Sequence, residues 1–151
     1  AIKEIIKYRK DEGIVLEKDF IKIINKIKEL LLTVEEIDSS RIEHIRSRIK
    51  NEINKLKIDH DSNRFEQEMI YYLEKIDITE ERVRLENHLS YFISSLENEN
   101  SNGKKLGFIS QEIGREVNTI GSKANNSEMQ KAVIQMKDEL EKIKEQLLNV
   151  L

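Results

Sequence analysis

The stretch from Leu16 to Val34, LEKDFIKIINKIKELLLTV, decides the fold. Its apolar residues Leu16, Phe20, Ile23, Ile27, Leu30 and Val34 recur at steps of four, three, four, three and four. That spacing draws an apolar stripe down one face of an α-helix, close to a heptad, whereas a strand would need alternation at every second residue. Ile2, Ile5 and Ile6 extend the stripe backwards past Gly13, a place for a mild bend. In the other direction, Ser39 or Ser40 is expected to cap a second helix with Ile42, Ile45, Ile49, Ile53 and Leu56 on one face. Two such helices joined by a short polar link predict a long antiparallel hairpin, with the next break at Asp59 to Asn63.

The same reading continues down the chain. A third helix is expected from about Arg64 to Ile76, turning Phe65, Met69, Tyr72, Leu73 and Ile76 inward. Thr79 is the expected N-cap of a fourth, with Glu80 and Glu81 in its first turn and Leu85, Leu89, Phe92 and Leu96 on its apolar face. The run ENENSNG, 97–103, reads as a loop. A fifth helix starts near Lys104, carries Leu106, Ile109, Ile113, Val117 and Ile120 on one side, and should stop at Gly121. Ser127 and Gln130 form a capping box for a sixth, whose Val133, Met136, Leu140, Ile143, Leu147 and Val150 make a heptad seam. Such a seam needs a partner helix, in this chain or in another subunit. The expected fold is all-α: about six amphipathic helices, with a long hairpin and third helix over residues 1–74 and a helical bundle over 75–151.

Composition agrees and excludes several functions. Charged residues make up 36% and apolar residues 38%, a balance suited to long helices with wide solvated faces. The chain has no proline and only five glycines, so the strongest helix breakers are nearly missing. Without cysteine it has neither disulfides nor thiolate metal sites, which points to a reducing cytoplasm, and no apolar run suggests a membrane span. The net charge of −3 excludes a uniformly cationic nucleic-acid binder, so any such binding must be local. Between Gly103 and Asn125 the charged residues are Lys104, Lys105, Glu112, Arg115, Glu116 and Lys123, a local excess of positive charge.

Two polar stripes could carry chemistry. On the fifth helix, Lys105, Glu112, Glu116, Thr119 and Lys123 flank the apolar face, and Gln111, Arg115, Asn118 and Ser122 point away from it. Glu112 and Glu116 lie one turn apart, a spacing at which two carboxylates can share a hard divalent cation or divide the roles of base and positioning group. Phe108 lies off the apolar stripe beside this surface, an outward aromatic suited to contacting a base or another helix. On the fourth helix Glu81, Arg84, His88, Tyr91 and Ser95 follow at three- and four-residue steps, and His88 is the one group there able to move protons near neutral pH. No glycine-rich phosphate loop, serine elbow or HExxH pattern occurs.

The stretches KIDITEERVRLENHLSYF (75–92), GKKLGFISQEIGREVNTIGSKA (103–124) and DELEKIKEQLLNVL (138–151) resemble the C-terminal signature of the YicC/YloC family, and YRKDEGIVL (8–16) resembles its central helical segment. The resemblance implies the C-terminal part of a bacterial, stress-induced-type endoribonuclease that binds and cleaves single-stranded RNA. It further implies a divalent cation, Mn²⁺ before Mg²⁺, a homo-oligomer of hexameric type, and an N-terminal domain that this chain lacks. Carried over by position, it points to Arg84 and His88 on the fourth helix and to Lys105, Gln111, Glu112, Arg115, Glu116, Asn118 and Lys123 around the fifth, with Lys104 standing where the family usually has arginine. The roles expected are cation binding or orientation and catalysis for Glu112 and Glu116, proton transfer for His88, and RNA contact for Arg84, Lys104, Lys105, Gln111, Arg115, Asn118 and Lys123. The alternative is an oligomerisation or RNA-binding module whose catalytic groups lie in the missing domain.

Overall fold

A computed structural model describes residues 1–55, 62–98 and 103–150. They form α1 (Ile2–Lys55), α2 (Ser62–Ile76), α3 (Thr79–Glu97), α4 (Gly103–Lys123) and α5 (Ser127–Val150), with no strand among them. The all-α class stands as expected. Leu56, Leu151, most of the expected break at Asp59 to Asn63 and the centre of the ENENSNG run lie outside the described residues, as does the side chain of Val150.

One correction concerns the first two expected helices, which are a single helix of 54 residues. Ser39 and Ser40 do not cap a new helix; their hydroxyls donate to the carbonyls of Glu36 and Ile37 one turn back, at 2.7 and 3.3 Å, so the backbone ladder runs on unbroken. The inward face also continues without a phase change, through Val34, Asp38, Arg41 and Ile45, all buried. The long antiparallel pairing that the hairpin would have made forms instead between α1 and α5. Arg41, late in α1, meets Asn125 just before α5, while Asp19 and Gln146 wall the same groove at the other end.

The partner demanded by the C-terminal heptad is therefore in the chain. α1 packs on α3, α3 on α4, α4 on α5, and α5 back on α1, closing a four-helix arrangement around one apolar core. Phe20 and Phe92 meet edge to face at its centre, with ring centroids 5.7 Å apart, a contact worth about 0.5–1.5 kcal/mol beyond the area it buries. Gly114 and Gly121 allow α4 to approach α5 closely: a Cβ at those positions would lie 3.1 Å from Leu140 Cδ2 and 3.0 Å from Val133 Cγ1. α2 is held more lightly, burying Met69 and Ile76 but leaving Tyr72 exposed, and pairing Glu66 with Arg46 of α1. Among the described residues no helix is long and apolar enough to cross a membrane.

The helix ends also differ from expectation. Thr79 is the first residue inside α3 rather than its cap, and the Asp77 carboxylate accepts from both its amide and its hydroxyl, at 3.0 and 2.6 Å. These two hydrogen bonds, with smaller help from Lys123 and Arg82, hold the Asp77 carboxyl below the usual aspartate range. α4 runs through Gly121 to Lys123. At α5 the cap is Asn126, which accepts from the amides of Glu128 and Met129 at 2.8 and 3.2 Å. Gln130 turns back to donate to the carbonyls of Gly121 and Ala124. Asparagine supplies the same side-chain oxygen as serine, so the composition of this turn did not decide which residue would cap.

Candidate functional site

The antiparallel contact of α3 with α4 sets Arg84 beside Glu116. Arg84 Nε donates to Glu116 Oε1 at 2.9 Å, Nη1 pairs with Glu80 Oε2 at 3.2 Å, and Nη2 lies 3.9 Å from Glu81 Oε1. The Glu116 hydrogen bond and charge, more than those of Glu80, raise the pKa of this guanidinium and keep it cationic. At the far end of α4, Lys123 Nζ donates to Glu81 Oε1 at 2.8 Å and to the carbonyl of Asp77 at 2.9 Å. Glu81 and Glu116 are only 4% and 7% exposed, while Arg84 and Lys123 reach the surface. Two sunken carboxylates thus pair with two partly exposed cations along the α3–α4 contact, and Glu80 adds a third carboxylate to Arg84.

The other expected residues divide between this edge and the outer face of α4. Glu112 is half-buried and has Arg115 Nη1 3.8 Å away, with Arg115 itself well exposed. Lys105 Nζ sits 5.1 Å from the centre of the Tyr91 ring, a cation–π contact joining the two stripes. Lys104, Gln111 and Asn118 are exposed on α4. His88 is half-buried on α3, one turn from Arg84, and among the described residues it forms no ion pair or hydrogen bond. The structure therefore joins Arg84, Glu116 and Lys123 in one network and ranges Lys105, Glu112 and Arg115 beside it. No hydrogen bond or ion pair joins His88 to either glutamate among the described residues. Among the described residues no group of three or more histidine, aspartate or glutamate side chains is placed to hold a metal ion.

The linking role of Glu81, though it stood in the polar stripe of the fourth helix, and the whole of Arg41 escaped the sequence reading. Glu81, expected as a first-turn acid, is the hub linking Lys123 to Arg84, and its Oε2 is buried without a hydrogen-bond partner. Arg41 of α1, 4% exposed, is bonded to Asp38 Oδ1 at 3.0 Å, to the carbonyl of Lys123 at 3.3 Å, to Asn125 Oδ1 at 3.4 Å, and to the carbonyl of Ile76. It ties α1, the end of α2 and the α4–α5 turn together, and so anchors the backbone that presents Lys123. A signal for it existed: an Asp and an Arg three residues apart occupy two successive positions of the α1 apolar stripe, where charge survives only if paired.

Comparison with known proteins places these residues in context. Residues 34–151 match the model of a family described as endoribonuclease YicC-like, C-terminal. Over 99% of its length the chain is 35% identical to a protein of Clostridioides difficile (strain 630) named "Probable endoribonuclease YicC", of which it covers 52%. Over 70% of its length it is 33% identical to a protein of the same name from Haemophilus influenzae, of which it covers 37%. The chain spans about half or less of the length of these curated relatives. It belongs to the YicC-like endoribonuclease family, as a C-terminal portion.

Proposed function

We propose that this member of the family is the C-terminal part of a divalent-cation-dependent endoribonuclease and that its α3–α4 face binds and cleaves single-stranded RNA. The observation that carries the reading is the rim of Arg84, Lys105, Arg115 and Lys123 gathered over the half-buried Glu112 and the sunken Glu81 and Glu116. In a chain of net charge −3 that rim is a local site for a phosphodiester, and guanidinium groups suit its paired oxygens. Gln111 and Asn118 supply amides for sugar and base contacts, and Lys104 extends the cationic edge. His88, on α3 one turn from Arg84, is the group for proton transfer to or from the reacting oxygens.

Glu112 and Glu116 fit a cation unequally. Glu116 is already neutralised by Arg84 at 2.9 Å, whereas Glu112 is more open and its Arg115 partner is 3.8 Å away. Glu112 is therefore the residue that would take the ion first and Glu116 the one that orients the site, with water and phosphate oxygens filling the remaining positions. Mn²⁺ or Mg²⁺ there would supply charge stabilisation at the phosphoryl group. Assembly of several copies in the cytoplasm completes the proposal, supported by the exposed apolar residues Ile2, Ile5, Ile6 and Tyr8 at the start of α1 and by the lack of cysteine.

The test is incubation of the chain with labelled single-stranded RNA, with and without Mn²⁺. Cleavage should need the ion and be lost in Glu112→Ala. Cleavage by that variant at the parent rate would remove Glu112 from the site. One observation favours a second reading, an RNA-binding and assembly module: Glu116 is engaged by Arg84, leaving one open carboxylate. Tight RNA binding with no cleavage in Mn²⁺ would establish it.

A further inference from the structure

Phe108 belongs to neither polar stripe, and the fold gives it no apolar cover: it is 67% exposed on the first half of α4. It borders a groove of about 490 Å³ between α4 and the end of α5, also lined by Lys104, Gly107, Gln111, Lys144 and Leu148. The charge of this groove sets it apart. Its lining contains two lysines and no carboxylate, whereas the other described grooves carry acids, among them Asp19 and Glu139, Glu43, Asp11, and Glu35. Lys144 does have Glu141 at 3.6 Å, but both are partly exposed and such a pair is weak, so its ammonium can still attract a phosphate.

We propose that this groove is a base-stacking subsite for single-stranded RNA, with Phe108 as the platform, Lys104 and Lys144 against the flanking phosphates, and Gln111 at the edge of the base. The inference rests on the RNA-binding reading above and adds a second contact to it. An aromatic face beside cationic side chains is the arrangement that grips single strands whatever their sequence. Phe108 is one turn before Glu112, about 6 Å along the helix axis and about 40° around it, so a strand seated on the α3–α4 face can cross over Phe108 into this groove on the α5 side. Gly107 keeps the floor open, since a Cβ there would meet nothing within 4 Å. The rival occupant is a second copy of the chain using Phe108 and the 76% exposed Leu148 as a contact. A two-fold contact of this groove with itself would bring two copies of Lys104 and Lys144 face to face, which charge opposes and RNA does not.

The test uses the 151-residue chain, a short labelled single-stranded RNA, and two variants that leave the core untouched. Phe108→Ala removes the platform, and Gly107→Gln fills the groove with a good helix former. Both should weaken RNA binding by roughly 5- to 150-fold, the range for loss of one stacked base, with unchanged helical circular dichroism and unchanged mass by light scattering. Replacing successive nucleotides by abasic ones should weaken binding to the parent at one position and leave Phe108→Ala indifferent there. If the parent binds RNA and both variants bind equally well, the subsite is wrong and the parent reading stands. A change of mass with RNA affinity intact would assign the groove to subunit contact and overturn the proposal. Failure of the parent itself to bind RNA would sink both readings.

Discussion

Three glycines in α4 make a graded test of how closely this helix approaches α5, because one substitution, glycine to alanine, meets three different surroundings. In a helix interior the change is worth about 1 kcal/mol in favour of alanine. At Gly107 a Cβ meets nothing within 4 Å, so the whole gain should appear. For a chain of this size about 1 kcal/mol raises the melting temperature by roughly 2–4 °C. At Gly114 the new methyl meets Leu140 Cδ2 at 3.1 Å, the far end of a side chain that can shift by a few tenths of an ångström, and the gain should be largely offset. At Gly121 it meets Val133 Cγ1 at 3.0 Å, and a β-branched side chain in a helix has no second rotamer to retreat to. Overpacking of that kind costs about 1–3 kcal/mol, and the propensity gain is small in the last turn, so Gly121→Ala should be the least stable of the three, by a net loss of about 1–2 kcal/mol. Thermal unfolding followed by circular dichroism at one protein concentration gives the order. Equal shifts for all three, or a stabilised Gly121→Ala, would refute the close α4–α5 packing described here.

Arg41→Met should cost about 3–5 kcal/mol in denaturant unfolding, because it leaves the buried Asp38 carboxylate with only Arg82 at 4.0 Å and takes the donor from the carbonyls of Ile76 and Lys123, while the double variant Asp38→Leu, Arg41→Met should recover only the carboxylate's share of that loss. Asp77 predicts an acid limb. A carboxyl held low in the folded state contributes stability above its unfolded titration, near pH 4, and loses it as pH falls through the folded value, so Asp77→Asn should flatten melting temperature against pH below about 4. If Arg84, Lys104, Lys105, Arg115 and Lys123 each meet a phosphate, log affinity for single-stranded RNA should fall with log salt at a slope near −3.5, and Lys105→Ala should reduce that slope by about 0.7. A slope near zero would mean the rim does not meet the backbone.

The sequence by itself settled the all-α class, four of the five helices to within a few residues, and the apolar faces of α3 and α4. Apolar spacing and the scarcity of glycine and proline are local properties, and a helix face is a local object. Partnership and polarity of burial are not local. The break expected at Ser39 and Ser40 never forms, since a serine that can cap a helix can equally donate to the turn behind it, and at that point Asp38 and Arg41 are buried against α3 and the α4–α5 turn. In the same way, one-turn spacing made Glu112 and Glu116 look like equals. Packing of α3 on α4 separated them, sinking Glu116 under Arg84 and leaving Glu112 half-buried, because which carboxylate is buried and neutralised depends on what the neighbouring helix brings to it.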